Sequence, residues 1–298
     1  MKGALVLCAA ALVACAPELD ENVSRITAPR ILAVKSEPAE AAPGTELSFT
    51  AFIAVPDAGG AAPTPSWDFC TAARPATENN VVSSACLANA ALLPAGEGAS
   101  IQAQIPLEAC SLFGPNTPPG GLRPRDPDVT GGYYQPLRVA LPNAPPAFHL
   151  QRVACPLGQA PSEIATQFGM SYAPNQNPHL APLVARLDGR TLALDQIPSG
   201  VRVELEASWS ADDVETYPYF DRALQALVNK REAMRVAWYV SAGKLELESS
   251  GRAETDSELT TNNQLTIPST PGPTKLWLVL RDSRGGVDFA AYDLVILP

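Results

Sequence analysis

The sequence predicts an all-β protein of two β-sandwich domains in tandem, the first enlarged by long disulfide-linked loops and a short helix. Three observations predict it. Proline occurs 30 times in 298 residues, about twice the ~5% share of an average protein, and proline breaks helix interiors and central strands. Short segments of alternating apolar and polar residues recur along the chain, the pattern of strands with one buried face. Clusters of turn-forming residues separate these segments.

Taken in order, the chain opens with Lys2 and an apolar run from Ala4 to Ala14. The run is too short for a membrane-spanning helix, which needs ~20 residues, but it suits a signal-peptide core of ~7–15. Residues 1–14 therefore read as a signal peptide. Residues 15–28 read as a tether, because Ala16 to Ala28 shows no amphipathic period. Leu12-Val13-Ala14-Cys15 resembles the lipobox of bacterial lipoproteins. The resemblance implies diacylglyceryl modification of Cys15, cleavage before it, and anchorage to a membrane. Alanine rather than aspartate after Cys15 implies sorting to the outer membrane.

Six cysteines are present. Cys8 leaves with the leader and Cys15 is used by the anchor, so Cys70, Cys86, Cys110 and Cys155 remain for an oxidising compartment. Three pairings are possible, and Cys70–Cys86 with Cys110–Cys155 is favoured because the first two flank one polar connection. No C-x-x-C spacing occurs, which argues against zinc or redox chemistry.

Residues 29–172 form the first predicted domain. Arg30 to Val34 begins it, and Ala42-Pro43-Gly44-Thr45 has proline and glycine where a type II turn wants them. Leu47, Phe49, Ala51, Ile53 and Val55 then alternate with other residues as a strand. Ser66 to Cys70, Ser100 to Ile105, Tyr133 to Leu141 and Phe148 to Cys155 supply further strands. Gly114 to Gly132 is too rich in proline and glycine for regular structure. Pro161 to Phe168 reads as a helix, and residues 173–182 as a linker.

Residues 183–298 form the second. Val201, Val203, Leu205, Ala207 and Trp209 alternate with Arg202, Glu204, Glu206, Ser208 and Ser210. Phe220 to Glu232 has helical spacing through Leu224, Leu227 and Val228. Met234 to Val240 is the next strand, and Lys275 to Arg281 and Val287 to Leu297 form a hairpin. Trp238 in its strand, Leu276 to Asp282, and the glycine turn Gly285-Gly286 resemble a bacterial Ig-like domain of the PKD type. The likeness implies an Ig-like sandwich with Trp238 on the central strand and a D-x-x-G turn at Asp282. Thr77-Glu78-Asn79-Asn80, the segment from Arg123 to Arg138, and Arg231 to Arg235 with Trp238 are similar to a group of myxobacterial lipoproteins. That likeness implies no activity.

The formal net charge is −10, or −11 once Lys2 has left with the leader. An acidic chain is repelled by polyanions, so nucleic acid is not expected as a partner. Asp126-Pro127-Asp128-Val129-Thr130 matches the D-x-D-x-T of haloacid-dehalogenase-type phosphatases, but no apolar strand precedes it and no βα alternation surrounds it. A calcium loop fails at Leu137, where a bidentate glutamate is required. An irregular structural calcium site at Asp126 and Asp128, or at Asp212, Asp213 and Glu215, stays open as the sole cofactor candidate. Tyr133 and Tyr134, with Tyr217, Tyr219 and Phe220, are candidates for stacking on sugar rings. No G-x-S-x-G, H-E-x-x-H, P-loop or G-x-G-x-x-G occurs, and no catalytic residue can be named. The expectation is a lipid-anchored envelope protein with a non-catalytic binding or structural role toward a protein or polysaccharide. Alternatives are a carbohydrate-binding or adhesion module and a hydrolase with an unrecognised site.

Overall fold

The structure is a computed structural model that describes residues 23–57, 59–75, 77–115, 132–158 and 160–298. Cys15, Asp126 and Asp128 lie outside the described residues.

The first half folds into β1 (Arg30–Glu37), β2 (Glu40–Ala41), β3 (Glu46–Ala54), β4 (Ser66–Cys70), β5 (Leu92–Glu97), β6 (Ser100–Gln104), β7 (Tyr133–Ala140) and β8 (Ala147–Val153). Their order is β1-β3-β6 in one sheet and β2-β8-β7-β4-β5 in the other. Leu47, Phe49 and Ala51 of β3 meet Trp67, Phe69, Leu137 and Val139 of the facing sheet in one core. The turn at Ala42 closes with a Thr45 N–H to Ala42 C=O bond of 3.2 Å, and Gly44 takes φ +82°. Helices α1 (Ser84–Leu87) and α2 (Ala109–Leu112) are single turns in the connections. Disulfides join Cys70 to Cys86 and Cys110 to Cys155. Helix α3 (Ser162–Ser171) follows, at the expected place.

The second half contains β9 (Val184–Leu187), β10 (Arg190–Thr191), β11 (Ile197–Pro198), β12 (Arg202–Ser208), β13 (Thr216–Asp221) and β14 (Ala226–Arg231). It continues with β15 (Met234–Val240), β16 (Lys244–Leu245), β17 (Ser249–Arg252), β18 (Thr260–Thr266), β19 (Gly272–Asp282) and β20 (Val287–Leu297). The sheets run β10-β9-β12-β18-β16 and β11-β20-β19-β15-β17. Val203, Leu205 and Ala207 face Val236, Trp238, Leu276, Leu278 and Leu280 across the core.

The two halves share one plan. Each has a short strand paired parallel to its last strand, β2 with β8 and β11 with β20. Each has a tryptophan buried on the equivalent strand of the sheet that contains this parallel pair, Trp67 on β4 and Trp238 on β15. A buried tryptophan on that strand is a feature of Ig-like sandwiches. The protein is thus an all-β pair of Ig-like sandwiches.

Three expectations need correction. The segment from Phe220 to Glu232 is a β-hairpin, in which Phe220 pairs with Leu227 and Tyr219 with Val228. Leu224, which completed the helical spacing, stands exposed at the hairpin tip. Asp221 instead caps the turn, its Oδ1 accepting from the N–H groups of Ala223 and Leu224. The tether ends earlier than residue 28. Val240 N–H donates to Ser24 C=O and Ile26 N–H to Val240 C=O, and Ile26 is buried. These residues finish the edge of β15 that β17 leaves open beyond Ala237. The stretch 173–182 is no free linker either, since Asn175 and Asn177 are buried between the two sandwiches.

The sandwiches lie side by side. Strand β19 turns Leu276, Leu278 and Leu280 into its own core and Trp277 and Val279 outward. There they meet Ile26, Leu32, Ala33 and Ala54, and Phe52 stacks on Phe289 at 4.3 Å. Each large apolar side chain buried in this seam contributes roughly 1.5–3 kcal/mol.

Candidate functional site: the junction between the sandwiches

Beyond the apolar seam lies a buried ionic cluster, assembled from both sandwiches and the segment between them. Its centre is Arg284, in the turn between β19 and β20, only 1% exposed. Arg284 Nε donates to Glu232 Oε1 at 2.7 Å, Nη2 to Glu215, and Nη1 to the Ala173 carbonyl at 3.2 Å. Its guanidinium also lies 4.5 Å from the Tyr217 ring centre. The first sandwich supplies Arg152 from β8, whose Nε donates to Glu40 Oε2 at 3.0 Å and whose Nη1 donates to the Tyr134 hydroxyl at 2.9 Å. Tyr172 joins the two groups by donating its hydroxyl to Glu40 at 2.6 Å while accepting from both arginines.

The local sequence explains the positions. Asp282 Oδ1 accepts the N–H groups of Arg284 and Gly286, each at 2.8 Å, which shapes the tight turn and aims Arg284 inward. Gly285 has φ +104°, and a Cβ on Gly286 would sit 2.1 Å from Asp282 Oδ2. The D-x-x-G turn is therefore a device for placing one arginine. Asn175 Nδ2 donates to Asp282 at 3.1 Å, and Asn175 N–H donates to Glu40 at 2.9 Å, so one residue ties the segment to both sandwiches.

Burial raises Glu232 to about 7, helped by the Asp282 charge and opposed by Arg284. Burial likewise raises Asp282, against its hydrogen bonds. Burial works against the charge of both arginines, but the facing tyrosine and glutamate oxygens outweigh it and hold both above their ordinary value. Burial pushes the Tyr172 hydroxyl up to about 12, keeping it a proton donor.

The expected site residues fall around this junction. Glu215 is in the cluster. Asp213 lies beside it, its oxygens accepting from the His179 N–H and Nδ1 and from the Ser210 N–H and Oγ. Burial opposes this, but those bonds hold Asp213 below its ordinary value. Asp212, Asp213 and Glu215 line one groove with Lys35 and Glu37, although among the described residues no three metal-ligating side chains converge as a metal site. Tyr134 points into the cluster, where its hydroxyl also meets the Arg284 carbonyl at 3.3 Å. Tyr217 and Phe220 are buried, and Lys230 lies over Tyr219. The tyrosines expected to stack on a ligand thus include several that hold the junction.

Ser210, Asp213 and His179 have the residue types of a hydrolytic triad but not its wiring. Ser210 Oγ donates to Asp213 at 2.7 Å, and no hydrogen bond joins it to His179, whereas a nucleophile needs that contact. His149 is held near Gln151, and burial lowers it to about 4, so it is neutral. Arg152, Glu40, Tyr172, Glu232 and Arg284 were not singled out from sequence. The four charged ones look the same in sequence as solvated residues, and Tyr172, just past α3, carries no signal of its own.

No family model matches the chain, and no curated protein matches it. Among solved structures it is similar to a marsupial T cell receptor, at 9% identity over 89% of this chain and 99% of that one, with TM-score 0.26. It is similar to the Yersinia pseudotuberculosis adhesin InvE, at 8% identity over 88% and 58%, with TM-score 0.24. It is also similar to the FN1-FN3 domains of chicken CNTN1, at 11% identity over 92% and 68%, with TM-score 0.22. What identifies the fold is the chain's own strand order and the buried tryptophan in each half.

Proposed function

We propose that this is a lipid-anchored protein of the cell envelope, modified at Cys15 and held at the outer membrane, that binds a protein or polysaccharide without catalysing a reaction. The place in the cell is read from the leader and Leu12-Val13-Ala14-Cys15. Two acyl chains on one residue suffice for stable anchorage, where a single chain gives only marginal binding. The role is supported above all by the junction. Arg152 pairs with Glu40 in the first sandwich and Arg284 with Glu215 and Glu232 in the second, and Tyr172 and Asn175 tie the two groups into one body. Such a scaffold presents loops at fixed positions, which suits recognition.

Two measurements test this reading. Replacing Cys15→Ala should move the protein from the membrane to the soluble fraction; membrane association that survives the change rejects the anchor. For the binding role, cross-linking in intact envelopes should give a discrete protein adduct, or envelope polysaccharide cast in a native gel should retard the chain. A chain that does neither has no such role.

A further inference from the structure

On the outer face of the second sandwich, a cavity of about 340 Å³ opens beside Val23 and Ser24. Arg235 and Tyr239 of β15, Arg281 of β19, and Glu248 and Ser249 form its polar wall. The volume falls within the ~300–1,000 Å³ of ordinary ligand pockets. Positions 235, 237 and 239 share one face of β15 by strand alternation. Ala237, Tyr239 and Val23 supply the apolar part of the lining.

Arg235 and Arg281 are direct cross-strand partners in the β15–β19 register. Like charges placed opposite each other destabilise a sheet, and among the described residues no carboxylate forms an ion pair with either guanidinium. Among the described residues the Arg235 side chain donates to Ser249 Oγ alone, through Nε at 3.1 Å and Nη2 at 2.6 Å. Arg281 donates to the Leu32 carbonyl at 2.9 Å, and it shares the cavity wall with Tyr239. A third guanidinium, that of Arg30, lies over the Tyr239 ring at 5.2 Å. By contrast, Arg138, Arg152 and Arg284 each meet a carboxylate. In a chain of net charge −10, this wall has two guanidiniums against the single carboxylate of Glu248, which forms no ion pair with either among the described residues.

We propose that the cavity binds a small hydroxylated carboxylate of the sugar-acid class. Its carboxylate bridges the Arg235 and Arg281 guanidiniums, its hydroxyls donate to Glu248, and its carbon skeleton lies against Ala237 and Tyr239. Guanidinium is matched to carboxylate by its planar fork of donors, and the ligand's charge relieves the repulsion built into the sheet. A free carboxyl acceptor beside two cations selects a ligand that has both charge and hydroxyl donors. The assignment does not depend on the lipid anchor.

The test is calorimetric titration and thermal melting of the purified full chain with glucuronate, glucose and inorganic phosphate. Glucuronate should bind saturably and raise the melting midpoint, glucose should do neither, and added salt should weaken the binding. Arg235→Ala should reduce glucuronate affinity about tenfold or more, yet leave the unliganded protein as stable as before or more stable, because a repulsion is removed. Arg235→Lys, which keeps the charge without the fork, should fall between. Equal binding of glucose, tighter binding of phosphate than of glucuronate, or unchanged affinity in Arg235→Ala would each overturn the proposal.

Discussion

Glu232 and Glu215 share the guanidinium of Arg284, and Asp282 stands close enough to add its own negative charge. More carboxylates than guanidiniums therefore draw on this part of the junction, and burial makes the excess costly. The consequence is a pH dependence of unusual sign. Glu232 is raised from 4.5 to about 7 in the folded protein, so the fold binds its proton more tightly than the unfolded chain does. Its contribution is complete below about pH 4.5 and is lost as pH rises through about 7, on the order of 3 kcal/mol in all. Asp213, held below 3.8 by its hydrogen bonds, acts in the opposite sense and at lower pH. The denaturation midpoint should thus fall as pH is raised across that window, and Glu232→Gln should flatten the fall. A midpoint that does not change across the window, or a fall that Glu232→Gln leaves intact, counts against this assignment.

Strand β19 shows how one element can serve two cores. Leu276, Leu278 and Leu280 face inward, and Trp277 and Val279 face the other sandwich. Its sequence is apolar without interruption from Leu276 to Leu280, a pattern that fits a strand covered on both sides. β12, by contrast, alternates strictly, and its outward residues are partly or fully exposed. Replacing Trp277→Ala should cost about 3–5 kcal/mol and uncouple the halves, giving two denaturation transitions. Leu278→Ala, one residue on, should cost about 2–5 kcal/mol from the second core alone. Matching profiles for both variants would remove β19 from the seam. The hairpin of β13 and β14 gives the converse lesson. Periodicity suggested a helix, but Asp221 capping a turn and Tyr217 and Phe220 seeking burial decided for strands.

Across the whole molecule, the seam and the ionic cluster make the two sandwiches one cooperative body. Ile26 and the residues before β1 belong to the second sandwich's edge, while β1 itself belongs to the first. Asn175 bonds to both sides. Unfolding either half would leave the other with bare Trp277, Leu32 and Arg284. Calorimetry should therefore show a single melting transition, with van't Hoff and calorimetric enthalpies equal. Two resolved transitions in the wild-type chain would show that the halves are coupled only loosely.

Alternation, proline content and turn residues determined most of the sheets, because burial of one strand face is written in a period of two. The D-x-x-G turn and the tryptophan of β15 were legible through their resemblance to a PKD-type domain rather than through periodicity. The junction was not. A charged residue in a strand has the same appearance in sequence whether it meets water or a buried partner more than a hundred positions away, as Arg152 meets Glu40. The packing of one sandwich on the other decided which junction charges are buried and where Tyr134 points, and the β15–β19 register set Arg235 opposite Arg281. These are long-range choices, made by the free energy of removing water from a shared surface.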